Sequence, residues 1–213
     1  MTADRLDRSR VSELAADIDA DFAQRIDFLL EIDKLKTVIR RSRITDDSRL
    51  ENTAEHSWHL ALVATVMADR ADGDVDVTRA IEMLLVHDIV EIDAGDTFAY
   101  DAAGHEDKRD REVAAADRIF SLAPPTVGER LRALWDEYEE GVTPTAAFAY
   151  ACDRLQPLLL NAATRGRSWQ EHGIRQQQVR DLNAPIGQSS ADAWRFVQSI
   201  IDAAVAAGAL APE

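Results

Sequence analysis

The sequence predicts an all-α protein, folded as a single compact helical bundle. Three observations carry this. Alanine and leucine abound while glycine and proline are few, at 9 and 6 of 213 residues, a composition that favours helix. Apolar side chains recur at i, i+3 and i+4 through most of the chain. No segment alternates apolar and polar residues as a half-buried strand does. With 46% hydrophobic residues, the chain has enough apolar material for one well-buried core, and its length is marginal for two.

The elements follow in order. Residues 1–20 are polar and acidic and read as a tail or a short first helix. Phe22, Ile26, Leu29, Leu30 and the run Ile32 to Leu35 place a helix over 21–40. Arg40, Arg41, Arg43 and Arg49 then cluster around a polar turn, Thr45-Asp-Asp-Ser48. A second helix is expected over 53–70, with Thr53 as N-cap and His56 in its first turn. Asp72-Gly-Asp-Val-Asp76 is a solvated turn, since the later glycine and glutamate of a calcium loop are missing. The third helix, over 77–92, carries His87-Asp88, and the loop to Asp101 follows it.

A helix over 106–122 ends before Pro124-Pro125, because proline cannot continue it. Another runs over 125–139. Thr143 as N-cap and Pro144 at the first helical position start the next, over 143–164. Two more are expected near 169–182 and 190–208. No repeat, low-complexity tract or interdomain linker interrupts this. The domain expected is 21–208, preceded by the polar segment 1–20.

Charge and cysteine content narrow the function classes. The net charge of −15 argues against binding nucleic-acid polymers through their backbone, while a small anionic substrate remains compatible with a local basic patch. The single cysteine, Cys152, excludes an intrachain disulfide and fits a reducing compartment. Its apolar neighbours mark it as core rather than nucleophile. The N-terminal residues are charged and show no secretory signal, and no apolar run reaches the roughly 20 residues of a membrane span. A cytoplasmic protein without membrane contact is expected.

His87-Asp88 is the most informative feature. Imidazole nitrogen beside carboxylate oxygen is a mixed donor set suited to a divalent transition metal. On a helix the two side chains diverge by about 100°, so one ion would sit off the helix flank, and Glu91 shares that flank. His56 opens the preceding helix. His59 lies one turn on and suits a supporting role better than ligation. Asp153 sits in an apolar run, where an unpaired carboxylate is costly. Arg154 is adjacent and expected to point elsewhere, which favours a metal as the partner of Asp153.

These residues carry a resemblance. Glu51-Asn-Thr-Ala-Glu55-His56-Ser57, His87-Asp88-Ile-Val-Glu91, Gly95-Asp96-Thr97 and Asp153-Arg-Leu-Gln-Pro157 together resemble the HD-domain metal phosphohydrolases. They come nearest the small bacterial HD-domain proteins that include 5′-deoxynucleotidases, over roughly residues 25–170. The resemblance implies an HD-domain helical bundle in which His56, His87, Asp88 and Asp153 bind one divalent ion. Cobalt, manganese or another transition metal is expected, and magnesium is possible. Glu91 would act as general acid or base on the attacking water or the leaving oxygen. Asp96 would assist it or contact the sugar.

The family's phosphate-binding arginine maps to Arg40 or Arg41, with Arg49 a further candidate. Thr97 is a candidate phosphate donor. Phe98 and Tyr100 would stack on a base or anchor the loop, and His105 and His172 look peripheral. Where these nucleotidases place a tryptophan after the key arginine, this chain has Arg41-Ser42, which bears on base and sugar selection rather than on metal chemistry. The substrate class implied is a nucleoside 5′-monophosphate, the deoxyribose forms in particular, and a homodimer is expected by analogy. Another HD-type phosphoester hydrolase and a non-catalytic, metal-stabilised helical module are the competing readings.

Overall fold

The computed structural model of the chain describes residues 6–213. It is helical with one small hairpin, as the composition predicts. Helix α1 spans Arg8–Ala16 and α2 Ala20–Ile32, each started by an aspartate whose carboxylate accepts an N-terminal backbone N–H, Asp7 and Asp19 respectively. The expected segment 1–20 thus contains a helix; its first five residues lie outside the described ones. A 3₁₀ turn, Asp33–Thr37, ends the region predicted as one helix.

The chain then departs from the prediction. Ile39–Arg43 (β1) and Leu50–Asn52 (β2) form an antiparallel hairpin with an irregular register: Ile39 pairs with Asn52, and Arg43 with Leu50. Charged residues dominate β1, so its alternation of exposure is invisible to a hydrophobic pattern. The hairpin packs against two later helices, Pro144–Ala163 and Arg167–Glu171, rather than standing alone, and that packing selects the strand conformation.

Helix α3 spans Thr53–Met67. Asn52, not Thr53, is its N-cap. The Asn52 side chain accepts from the Glu55 N–H at 3.0 Å, and the Glu55 carboxylate accepts from the Asn52 N–H at 3.3 Å. This reciprocal box satisfies two orphan donors and frees the Thr53 hydroxyl for the site. Helix α4 spans Val77–Val86 under the Asp76 cap. The predicted continuation to residue 92 is broken: His87–Val90 tightens to 3₁₀, and a short α5, Glu91–Ala94, ends at Gly95 with φ 75°, a left-handed turn that glycine adopts without steric cost.

Helices α6 (Lys108–Ser121), α7 (Pro125–Glu140) and α8 (Pro144–Ala163) follow close to prediction. Gly141, φ 63°, closes α7, and Thr143 caps α8 by accepting from the Ala146 N–H at 3.1 Å. The remaining helices are α9 (Arg167–Glu171), α10 (Gln176–Asn183), α11 (Ile186–Ser189) and α12 (Ala191–Ala206). The segment expected as one helix near 169–182 is therefore two, parted at Gly173.

Helix α8 is the axis of the molecule. One apolar cluster joins α2, α3, α4, α6, α7 and the first half of α8 around Leu60, Met83, Leu84, Ile119 and Trp135. A second joins the later part of α8 to α9–α12 around Trp169, Val179, Val197 and Ile201. Val63 and Met67 of α3 pack against both. Cys152 is buried in the first cluster, and burial pushes its thiol up to about 12, as a core role requires. Trp135 and Trp169 are fully enclosed. Among the described residues no helix is long and apolar enough to cross a membrane.

Candidate functional site

The break between α4 and α5 faces the first turn of α3 and the middle of α8, and there four donors converge. Ligand atoms of His56, His87 and Asp88 lie within 4.8 Å of one another. Asp153 Oδ1 is 2.9 Å from His56 Nε2 and 3.9 Å from His87 Nε2. His87 Nε2 and Asp88 Oδ1 are 3.1 Å apart, close for residues expected to diverge. The tightened 3₁₀ turn sets this geometry, and such turns within helices are frequent at functional positions.

Each imidazole is held by its far nitrogen. His87 Nδ1 donates to the Leu84 carbonyl at 2.9 Å, which leaves Nε2 with its lone pair toward the cluster. That Nε2 is buried and makes no hydrogen bond of acceptable geometry. His56 Nδ1 lies 3.1 Å from Gln156 Oε1, while Gln156 Nε2 donates to Glu51 Oε1 at 2.7 Å and lies 3.0 Å from His59 Nδ1. The Gln156 amide therefore accepts from His56, and His56 too presents Nε2 inward. His59 touches Gln156, in the supporting position.

Asp153 divides its two oxygens. Oδ2 accepts from the Tyr138 hydroxyl at 3.1 Å and from the Arg154 guanidinium, while Oδ1 faces the histidines. Arg154 thus turns back to its neighbour, against expectation. Its side chain is half-buried and lies over Tyr150, 5.1 Å to the ring centroid. The adjacent carboxylate supplies its counter-charge. Burial alone would raise the pKa of Asp153. Arg154, with the two histidines, reverses that and holds it well below the ordinary carboxylate range. The same balance of burial against His87, Arg40 and His56 holds Asp88 low.

The His87 Nε2, buried without a hydrogen-bond partner, the His56 Nε2, which donates to Asp153 Oδ1 at 2.9 Å and would exchange that proton for an ion, and two carboxylates held low form a donor set that fits a divalent ion. The flanking residues complete the picture. Arg40 Nη1 is 3.0 Å from Asp88 Oδ2 and 3.5 Å from Asp96 Oδ1, and its buried Nε has no hydrogen-bond partner. Arg40 is therefore the arginine within the cluster. Arg41 is exposed and lines the same cleft. Arg49 is not brought there: it pairs with both Glu55 oxygens, at 2.7 and 2.8 Å.

Glu91 is buried, and Thr53 donates to its Oε2 at 2.9 Å. Burial, then the negative charge of Asp88, raises its pKa well above the ordinary value. Asp96 is raised by the same two causes. Thr97 lines the cleft, with its hydroxyl accepting from Arg111 at 3.2 Å. Phe98 meets Tyr100 edge-on at 5.4 Å and His172 at 4.6 Å. These contacts tie the loop inward, while both aromatics also line the cleft. His105, read as peripheral, lines it as well.

The cleft has a volume of about 510 Å³, sufficient for a small ligand. Several of its residues escaped sequence reasoning. Lys108 lines it from the start of α6, 3.2 Å from Glu112. Burial opposes its charge, and Glu112, Glu139 and Asp88 outweigh burial to raise its pKa. Tyr138 is another, and Arg154 was expected to point away. Gln156, three residues after Asp153 on α8, lies behind the cluster, and the i, i+3 spacing was the signal available for it.

The family model for the HD domain matches residues 32–194, and the chain belongs to that family. A crystal structure of a predicted metal-dependent phosphohydrolase from Magnetospirillum magnetotacticum is similar with a TM-score of 0.87 and 47% identity, covering 92% of this chain and 98% of that one. The 5′-deoxynucleotidase HDDC2 of Homo sapiens is 31% identical over 136 residues, 63% of this chain and 65% of that protein. Its Xenopus laevis counterpart is 29% identical over 135 residues, 63% of this chain and 66% of that protein. The chain thus matches just under two thirds of the length of these relatives.

Proposed function

We propose that this protein is a metal-dependent phosphomonoesterase that hydrolyses nucleoside 5′-monophosphates, the deoxyribonucleoside forms in particular, to nucleoside and phosphate. One observation carries the reading: an imidazole–carboxylate cluster shares one end of a cleft with the half-buried Arg40 and the buried carboxyl group of Glu91. A closed structural metal site has no use for the last two. The names of the HDDC2 relatives support the nucleotide as substrate.

In this reading His56, His87, Asp88 and Asp153 hold one divalent ion, a transition metal or magnesium. When bound, such an ion polarises a phosphoryl oxygen and makes its water more acidic. Arg40 binds the phosphate. It is already within the cluster, its Nε is unused, and a guanidinium matches two phosphate oxygens at once. Arg41 and Lys108 add positive charge to the same cleft, offsetting a net −15 that would otherwise repel an anion.

Glu91 moves the proton. Thr53 fixes Oε2, and Oε1 takes no hydrogen bond from the described residues. Its raised pKa lets it give a proton to the leaving 5′-oxygen, and a cation beside Asp88 would draw it toward ionisation, so that it can receive one from water. Asp96 steadies Arg40. The homodimer expected from the resemblance and the cytoplasmic location expected from the sequence belong to the same reading.

The test is phosphate release from ribo- and deoxyribonucleoside mono-, di- and triphosphates with Mn²⁺, Co²⁺, Mg²⁺ or EDTA. Metal-dependent release confined to monophosphates is expected, with kcat reduced about 10²–10⁴-fold in Glu91→Gln. A Glu91→Gln enzyme with unaltered turnover would overturn the mechanism. No release with any metal, from protein shown to hold an ion, would overturn the activity.

A further inference from the structure

The loop between α5 and α6 supplies six of the residues that line the cleft: Asp96, Thr97, Phe98, Ala99, Tyr100 and His105. Asp96 Oδ1 lies 3.5 Å from Arg40 Nη1, so the loop reaches the charged end of the cleft. The backbone does little to hold it there. Its own hydrogen bonds are local, from the Asp101 N–H to the Phe98 carbonyl at 2.9 Å and from the Glu106 N–H to the Ala103 carbonyl at 3.2 Å. Among the described residues, no backbone hydrogen bond joins 94–97 to 103–108. Bringing the ends of such a loop together costs chain entropy, so a tie between them is needed.

Arg111, in the first turn of α6, is that tie. Its Nη1 donates to the carbonyl of Ala94, where α5 ends. Its Nη2 donates to the Thr97 hydroxyl at 3.2 Å and to the Gly104 carbonyl at 3.0 Å. One guanidinium thus joins the entry of the loop to its exit. Nε donates to Asp107 Oδ1 at 2.9 Å, which sets the plane of the fork. Asp107 stands at the N-cap position of α6 without capping it, and its carboxylate serves Arg111 instead. A rigid fork of five N–H donors can hold several acceptors at once, as a lysine ammonium cannot. Helix α6 packs against α5 and the His87–Val90 turn, so the clamp fixes the loop relative to His87 and Asp88.

We propose that Arg111 is a positioning residue, which closes the neck of the loop and thereby holds Asp96 against Arg40 for the reaction. Arg111 does not itself line the cleft, so it acts through the loop and not on substrate or ion. Its effect on turnover rests on the phosphomonoesterase reading, in which Arg40 binds the phosphate. Its effect on the loop rests on the four hydrogen bonds alone.

The test compares the wild type with Arg111→Leu and Arg111→Lys, each with native circular dichroism and loaded with Mn²⁺. Brief chymotrypsin digestion, read by mass spectrometry, reports cuts after Phe98 and Tyr100. These should appear about tenfold faster in Arg111→Leu, because cleavage follows the population of the opened loop. With dAMP, kcat/KM should fall about 10²-fold, the loss that a misplacement of about 1 Å can cause. KM should rise as kcat falls, whereas a merely less stable fold would reduce the active fraction and leave KM alone. Arg111→Lys keeps the charge but not the fork and should show both effects in weaker form, and it carries the test if Arg111→Leu does not fold. Cuts no faster than in the wild type overturn the proposal. So does faster cutting with kcat/KM unaltered, since the loop's position would then not matter to the reaction. Either result leaves the nucleotidase reading standing. If the wild type releases phosphate from no nucleotide, that reading falls, and the digestion alone decides whether Arg111 holds the loop.

Discussion

Gln156 shows how much of the site's geometry is set by residues that touch no ligand. Fully buried, it uses both ends of its amide: Oε1 accepts from His56 and Nε2 donates to Glu51. The first bond keeps a proton on His56 Nδ1, so the proton that Nε2 gives to Asp153 at 2.9 Å is the one an ion would displace. A partner of this kind orients a ligating ring and raises its basicity, and losing it typically costs 10–100-fold in metal affinity. Gln156→Met conserves volume and removes both hydrogen bonds. Its affinity for Mn²⁺, measured by calorimetry on protein with native circular dichroism, should fall by about that 10–100-fold. An unchanged affinity would show that packing alone orients His56. Tyr138 and Arg154 do comparable work on Asp153, where they occupy Oδ2 and leave Oδ1 toward the histidines.

At the scale of elements, the helix starts were legible wherever a single residue decides them. Thr143-Pro144 at α8 is such a case, and so is the Pro124-Pro125 stop. Cap choice at α3 was not legible, because Asn52 and Thr53 are both good caps and only the reciprocal bond to Glu55 selects one. The hairpin and the 3₁₀ break at His87 escaped for another reason. Both are imposed by packing against distant elements, and local propensity carries no record of that. The metal-type cluster was readable because its residue types are costly to bury without a purpose. The role of Arg154 was missed because a long side chain can fold back on its own neighbour.

Glu31 provides an element-scale prediction. It is buried on α2 and binds Lys34 at 2.8 Å, Arg118 of α6 at 3.0 Å and Arg8 of α1 at 3.2 Å, so one carboxylate joins three helices. Lys34 above all, then Arg118 and Arg8, lowers its pKa from 4.5 to about 2 against the opposing effect of burial. A pKa depressed on folding means that the carboxylate's stabilisation is full above pH 4.5 and is lost as pH falls from there toward 2. Urea unfolding between pH 6 and 2.5 should therefore show a shallower acid limb in Glu31→Gln than in the wild type, with a lower midpoint at pH 6. Parallel curves would show that Glu31 titrates alike in the folded and unfolded chain.

At the scale of the whole molecule, the site sits where the two apolar clusters meet. α8 belongs to both, and Asp153 lies between Cys152 of one and Leu155 of the other. The four candidate ligands, on α3, the α4–α5 junction and α8, come from elements far apart in sequence, and an ion held by them would bind the folded chain in preference to the unfolded one. Such binding stabilises by about 2.7 kcal/mol at a free-metal concentration of 100 Kd. For a chain of 213 residues, with roughly 2–4 °C per kcal/mol, that is a rise of about 5–10 °C in Tm. Thermal unfolding followed by tryptophan fluorescence, with EDTA and then with excess Mn²⁺, should show this rise. Asp88→Ala should lose both the rise and the phosphatase activity. Glu91→Gln should keep the rise and lose the activity, because Glu91 is assigned to proton transfer and not to holding the ion. A structural metal would move Tm in the same way in the wild type but would leave no turnover for Glu91→Gln to remove. The pairing of the two variants thus separates an ion that holds helices together from one that also works on a phosphate.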